Sequence, residues 1–279
     1  MTAAVAPESR FVEVDGLRIH YQETGSGQPL VMLHGTGPGA SGWSNFRLTV
    51  PAFAGDRRVI VPDLPRYGRS SKIAIQGPRL TLLSGIIVKF LDAIGVERAD
   101  FIGNSMGGQI AMKLAIDHPE RVRRLVAIGS PPVRASSMGP SPAEGIRMIE
   151  GYYKGSGPSL DKMRAIIQAL VYDQRFATDE VIQARYQDSI DPEVLAANAG
   201  PLWEREHLEG QLERLAAPVM LIWGQDDRFA QLDIALRMIR ELPNARLLVF
   251  SRCGHWAQVE HAAEFNRAVR TFLEVDLAG

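Results

Sequence analysis

Cysteine is nearly absent from this chain: its 279 residues hold one, Cys253. An intrachain disulfide is therefore impossible, which excludes disulfide-stapled secreted scaffolds and fits a reducing compartment. An excess of charge of either sign is missing too. Lysines and arginines number 31 against 32 aspartates and glutamates, a formal net charge of −1. With no basic run or stripe, neither nucleic acid nor an anionic membrane is an expected partner. No apolar run approaches the ~20 residues that span a bilayer. The stretch from Met1 to Arg10 lacks the charged and apolar regions of a secretory signal. These absences point to a cytoplasmic protein acting on a small molecule. No His/Cys/Asp/Glu cluster has metal-site spacing, so neither metal nor organic cofactor is expected.

What remains is ordinary globular composition, 46% hydrophobic and 23% charged. The length suits one α/β unit carrying an inserted segment. Phe11-Val12-Glu13-Val14 and Leu17-Arg18-Ile19-His20-Tyr21 flank the turn pair Asp15-Gly16, which predicts a hairpin. Short apolar runs follow, at Pro29–Leu33, Val59–Val61, Asp100–Ile102, Leu125–Ile128, Val219–Trp223 and Arg246–Phe250. Their apolarity is continuous rather than alternating, as in parallel strands buried on both faces. Leu80–Ile94 and Gly107–His118 show helical spacing, the second stopping before Pro119. Strands alternating with helices predict an α/β fold with a mostly parallel sheet.

The alternation breaks between about Val133 and Leu215. A Pro/Ser/Gly-rich passage from Pro131 to Pro142 leads into several helical segments, with boundaries at Gly151–Pro158 and Asp191-Pro192. The expected division is a core of residues 1–132 and 213–279 with a helical lid over 133–212. Such a lid would cover the C-terminal strand ends, where open α/β sheets bind ligands.

Gly103-Asn104-Ser105-Met106-Gly107 fits Gly-x-Ser-x-Gly, a weak signal in a chain with 26 glycines. Its setting strengthens it, because a buried strand precedes it and a helix follows. A nucleophilic serine held in a strained strand-to-helix turn needs that context. A serine hydroxyl also needs a base within reach. Of six histidines, His255 alone sits on a loop just past a strand with no competing task. His34 opens a glycine-rich loop and is expected to brace it. His20, His118, His207 and His261 read as surface or capping residues. Leu221 to Asp227 ends a strand in two aspartates; either Asp226 or Asp227 could orient the imidazole, and spacing does not choose. The order Ser–Asp–His differs from that of the chymotrypsin and subtilisin types. The loop His34-Gly35-Thr36-Gly37-Pro38-Gly39 follows a strand, where a backbone N–H of Thr36 can face an oxyanion beside that of Met106. No Lys-Ser/Thr follows at the spacing of a phosphate loop.

These residues resemble the α/β-hydrolase fold along the whole chain. Within it they resemble the meta-cleavage product hydrolases, which split a carbon–carbon bond in ring-fission products of aromatic compounds. The carriers are His34 through Ala40 with Gly42-Trp43-Ser44-Asn45-Phe46, the Ser105 elbow, Val171-Tyr172-Asp173, Trp223 through Phe229, and Cys253 through Glu260. The resemblance selects Asp227 over Asp226. It implies that Asn45, Asn104, Arg185 and Trp256 hold the dienoate end of the substrate and that Phe229 lines the pocket, with Gly35 and Gly37 in the binding set. On sequence grounds alone Arg185 would be a solvated helix residue. One departure stands out: Asp63-Leu64-Pro65-Arg66-Tyr67-Gly68 has arginine where the superfamily usually has glycine. The implied substrate is a 2-hydroxy-6-oxohexa-2,4-dienoate with phenyl as the first choice at carbon 6, and the implied assembly is a homodimer or larger. The alternatives are a carboxylesterase or lactonase with the same triad, and a non-catalytic ligand receptor on the same scaffold.

Overall fold

Strand β1 (Glu8–Val14) and strand β2 (Leu17–Thr24) form the expected hairpin, turned at Asp15-Gly16 with both residues at positive φ. Six strands follow: β3 (Gln28–Leu33), β4 (Arg57–Pro62), β5 (Ala99–Asn104), β6 (Val122–Ile128), β7 (Val219–Gly224) and β8 (Ala245–Phe250). The computed structural model describes residues 7–73, 77–132, 136, 137, 139–199, 204 and 206–274. The opening residues through Ala6 and the expected start of the insertion at Val133 lie outside the described residues.

All eight strands share one sheet in the order β1-β2-β4-β3-β5-β6-β7-β8. The β1–β2 and β2–β4 pairs are antiparallel and the others are parallel. Strands β5 and β7 are buried along their whole length, as their unbroken apolar runs require. At β8 that expectation fails. Phe250 is its one buried residue, because β8 is the last strand of the sheet and packs on one neighbour only.

Helices cover both faces. Val31 and Leu33 point to one side, where α3 (Arg79–Ala93), α4 (Met106–Asp117) and α9 (Leu232–Glu241) pack. Leu30 and Met32 point to the other, toward α1 (Gly42–Phe46), α2 (Val50–Phe53) and α11 (Ala262–Glu274). This period of two is the pleat expressed in packing. Helix α3 buries Leu80, Leu83, Ile86, Ile87, Phe90 and Leu91, the three- and four-residue spacing of an amphipathic helix.

Among the described residues, four α-helices lie between β6 and β7: α5 (Glu144–Tyr152), α6 (Leu160–Leu170), α7 (Asp179–Ser189) and α8 (Pro192–Ala199). The side chains of Ser159 and Thr178 cap α6 and α7 by accepting from Lys162 N–H and Val181 N–H. Their apolar faces form a third cluster around Tyr152, Met163, Ile166, Ile167 and Ile182. It also takes in Phe229 and Trp256 from the loops after β7 and β8. The short α10 (Ala257–Glu260) follows Trp256. Among the described residues, no helix is long and apolar enough to cross a membrane.

Candidate active site

Strand register decides where the site lies. Leu33 pairs with Gly103, Asn104 with Ile128, Ile128 with Ile222 and Gly224 with Phe250. The C-terminal ends of β3, β5, β6, β7 and β8 are therefore level. The loops that carry Thr36, Ser105, Asp227 and His255 leave from one edge of the sheet.

Ser105 stands at φ 53°, ψ −119°, between the end of β5 and the start of α4. A non-glycine residue there is strained by roughly 1–3 kcal/mol. Close packing maintains it: Ser105 N–H donates to the Ile128 carbonyl at 2.8 Å, and a Cβ at Gly107 would overlap the Leu33 carbonyl. The glycine after the serine thus lets α4 approach β3.

His255 is buried, and its Nδ1 lies 2.7 Å from Asp227 Oδ2. The other carboxylate oxygen of Asp227, Oδ1, accepts from the N–H groups of Phe229 at 2.7 Å and Ala230 at 2.9 Å. Asp226, its rival in the sequence, is exposed. The histidine loop is fixed from the insertion, since the Leu170 carbonyl accepts from His255 N–H at 2.8 Å and Trp256 N–H at 3.3 Å. Phe229 stacks on the imidazole, with 5.0 Å between ring centroids.

Neither Thr36 N–H nor Met106 N–H donates to any group of the described residues. Met106 opens α4, where first-turn N–H groups have no intrahelical acceptor. His34 braces the glycine loop as expected. Its Nδ1–H donates to the Gly35 carbonyl at 2.8 Å, and its Nε2 accepts from Leu64 N–H at 2.9 Å.

Two spaces meet at Ser105. A narrow pocket is lined by Gly35, Asn45, Asn104, Arg185, His255 and Trp256. A wide cavity of about 530 Å³ runs from the 66–68 segment past α5 and α8 to Arg79 and Gln109. Thr36, Gly37, Ser105 and Phe229 line both. The expected binding residues are thus brought together, although the two asparagines also bond within the protein. Asn45 Oδ1 accepts from Gly35 N–H at 3.2 Å, and Asn104 Nδ2 donates to the Ile128 carbonyl at 3.2 Å.

Arg185 lies on α7 but is buried, at 3% exposure, unlike a solvated helix residue. Its Nε donates to the Pro38 carbonyl at 2.9 Å, and its guanidinium sits 5.8 Å from the Trp256 ring centroid. Among the described residues it forms no ion pair, and the carboxylate that acts most on its charge is Asp188 on the same helix. Burial pulls the guanidinium down to about 10, so it keeps its charge at neutral pH. A Cβ at Gly39 would overlap the Arg185 carbonyl, so this glycine admits α7 against the loop.

Two features escaped the sequence. His20 is not a surface residue: it is buried, with Nδ1 at 2.7 Å from Asp63 Oδ2, a partner 43 residues away. Tyr67 lies on the wide cavity, and its hydroxyl is 2.7 Å from Thr36 Oγ1. Its place beside the anomalous Arg66 was the available signal. Glu260 also binds the parts of the site together. Its carboxylate accepts from Gly254 N–H at 2.7 Å and from Tyr172 and Asp173 N–H, both at 2.8 Å.

Comparison with known proteins places these features in a family. A profile described as "alpha/beta hydrolase fold" matches residues 28–262. A 2-hydroxy-6-oxononadienedioate/2-hydroxy-6-oxononatrienedioate hydrolase of Burkholderia vietnamiensis is 42% identical, covering 95% of each chain. A 2-hydroxy-6-oxo-6-phenylhexa-2,4-dienoate hydrolase of Burkholderia cepacia is 37% identical over 95% of this chain and 96% of its own. The solved structure of a meta-cleavage product hydrolase from Pseudomonas fluorescens superposes with a TM-score of 0.86. It is 32% identical and covers 95% of this chain and 97% of its own.

Proposed function

The chain belongs to the α/β-hydrolase fold family, within the meta-cleavage product hydrolases, and we propose that it hydrolyses 2-hydroxy-6-oxohexa-2,4-dienoates substituted at carbon 6. The observation that carries the reading is Arg185, a buried cation that forms no ion pair among the described residues and has only the longer-range influence of Asp188, lining the pocket that holds Ser105 and His255. A planar carboxylate on the substrate matches its fork of donors. An ester without an anion has no use for it.

In this reading the dienoate end occupies the narrow pocket between Arg185, Asn45, Asn104 and Trp256, beside Gly35 and Gly37. The carbon-6 ketone lies at Ser105, with its oxygen toward Thr36 N–H and Met106 N–H. Asp227 holds the His255 ring so that Nε2 exchanges protons with substrate and serine. Carbon is a poor leaving group until the dienol is ketonised, after which the departing fragment carries charge as an enolate. Ser105 then attacks carbon 6. Ketonisation has already moved a proton from the 2-hydroxyl to carbon 5. When the bond between carbons 5 and 6 breaks, its electron pair therefore enters the departing dienolate, which takes its proton at the carbon-2 oxygen, and water supplies the hydroxyl of the new carboxylic acid.

The carbon-6 substituent points into the wide cavity. Phenyl, the expectation from sequence, suits the walls of Ile146, Ile149 and Phe229. A carboxyethyl group, as in a nonadienedioate, suits the polar part around Arg66 and Tyr67. The reading includes a core of 1–132 and 213–279 under a lid of 133–212, and a cytoplasmic homo-oligomer, dimer or larger. Light scattering after size exclusion checks the assembly. The chemistry is tested by mixing enzyme with a dienoate: the visible dienolate band bleaches as 2-hydroxypenta-2,4-dienoate and a carboxylic acid appear. Binding without bleaching would instead identify a receptor.

A further inference from the structure

We infer that Gly145, in the first turn of α5, is a positioning residue for the base: it seats the Phe229 ring on the His255 imidazole. The inference rests on the preceding reading only in taking His255 as that base. Gly145 is buried, and a Cβ there would overlap three carbons of the Phe229 ring, Cδ1, Cε1 and Cζ, at equal distances. A point equidistant from three ring carbons lies over the face of the ring, not at its edge. The α5 backbone thus lies flat on the ring that stacks on His255, with 5.0 Å between the ring centroids. Any side chain at this position would have to move a rigid ring, and the ring is in contact with the imidazole.

The contact is held from several sides. Gly145 N–H donates to the Arg228 carbonyl at 3.0 Å, and the Glu144 carboxylate accepts from Arg228 Nε at 2.8 Å. Phe229 N–H donates to Asp227 Oδ1, on the same carboxylate whose Oδ2 holds His255. Gly129, just past β6, packs on that pair. A Cβ there would stand 2.8 Å from His255 Nδ1, 2.9 Å from its Cε1 and 3.0 Å from Asp227 Oδ2. The imidazole therefore has core backbone against its Nδ1–Cε1 edge, and on its face a ring seated by the insertion. Docking of α5 in this way sets the plane of the base.

The test measures kcat and KM on a 6-phenyl dienoate and on a small neutral aryl ester, since one base serves both. Gly145→Ala should lower kcat on each substrate about tenfold or more with KM little changed, because a misplacement of about 1 Å costs up to about a hundredfold. In the Phe229→Leu background the same substitution should cost about twofold or less, since the rigid ring it pushes is gone. Phe229→Leu alone adds no bulk and should lower kcat on both substrates about two- to tenfold, the worth of the lost ring stacking. Equal loss from Gly145→Ala in both backgrounds would overturn the inference. A lowered unfolding midpoint with kcat unchanged would also overturn it, by making the contact packing alone. So would loss on the dienoate with the ester spared, which would make Gly145 part of the cavity wall. Should Gly145→Ala not fold, an ester kcat unchanged by Phe229→Leu would overturn the inference by itself. A native enzyme that turns over the ester and not the dienoate would remove the substrate reading alone, and the ester arm would still decide this one. Full activity in His255→Ala would remove both.

Discussion

The narrow pocket and the wide cavity share Ser105 but are built on different principles. Around the pocket the long polar side chains are buried and tied to backbone: Asn45 to Gly35, Asn104 to Ile128, Arg185 to Pro38 and, behind His255, Asp227 to Phe229 and Ala230. The cavity is larger, and mixes aliphatic walls with arginines and carboxylates from the insertion and the 66–68 turn. A preorganised wall favours one geometry of developing charge. A roomy, mixed wall favours a range of substituents. In the proposed reading the chemistry belongs to the first and the choice of substrate to the second.

The largest predicted break in this division is at the pocket. Ser105→Ala and His255→Ala should each lower kcat by about a thousandfold or more, and the double variant little further, because members of one catalytic unit are not additive. Losses that multiply would mean that the two act separately. Arg185→Gln comes next. Removing one partner of a buried charge pair costs about 2–5 kcal/mol, so dienoate cleavage should fall steeply while a small neutral ester is spared. Loss on both substrates would point to damaged folding of α7.

Glu260→Ala sharpens the comparison at the seam between core and insertion. It removes the acceptor shared by Gly254, Tyr172 and Asp173 N–H groups; Gly254 is the buried one of the three, and a donor left unpaired there costs about 1–3 kcal/mol. Thermal unfolding should shift down, and kcat should fall more than KM rises, because the histidine loop loosens. Smallest should be Tyr67→Phe. Loss of its bond to Thr36 Oγ1 is worth about 0.5–1.5 kcal/mol and should appear in kcat. An effect as large as that of Arg185→Gln would show that the cavity wall takes part in the chemistry.

Much of the pocket was legible because its residues follow strands directly. Ser105, Asp227 and His255 each lie within a few residues of an apolar run, and a parallel sheet brings such loops to one edge. The choice of Asp227 over Asp226 came from resemblance; in the structure Asp227 is buried against His255 and Asp226 is exposed. The cavity was less legible. Its walls come from helices whose docking depends on contacts distant in sequence, such as Arg66 with Ala197. His20 was misjudged for the same reason, since Asp63 is no neighbour in the chain. At β8 the apolar run is real, but no local pattern shows that a strand will sit at the edge of its sheet.

The central claim is that this pocket is preorganised for carbon–carbon cleavage of a dienoate. Its most direct test is the ratio of kcat/KM for a 6-substituted dienoate, followed by bleaching of its visible band, to that for a simple aryl ester. The contacts of Arg185 and the asparagines are unavailable to the ester, and two lost polar contacts at ~1.4 kcal/mol each give a ratio of at least about a hundredfold. A ratio near one would contradict the claim and leave a general esterase on this scaffold.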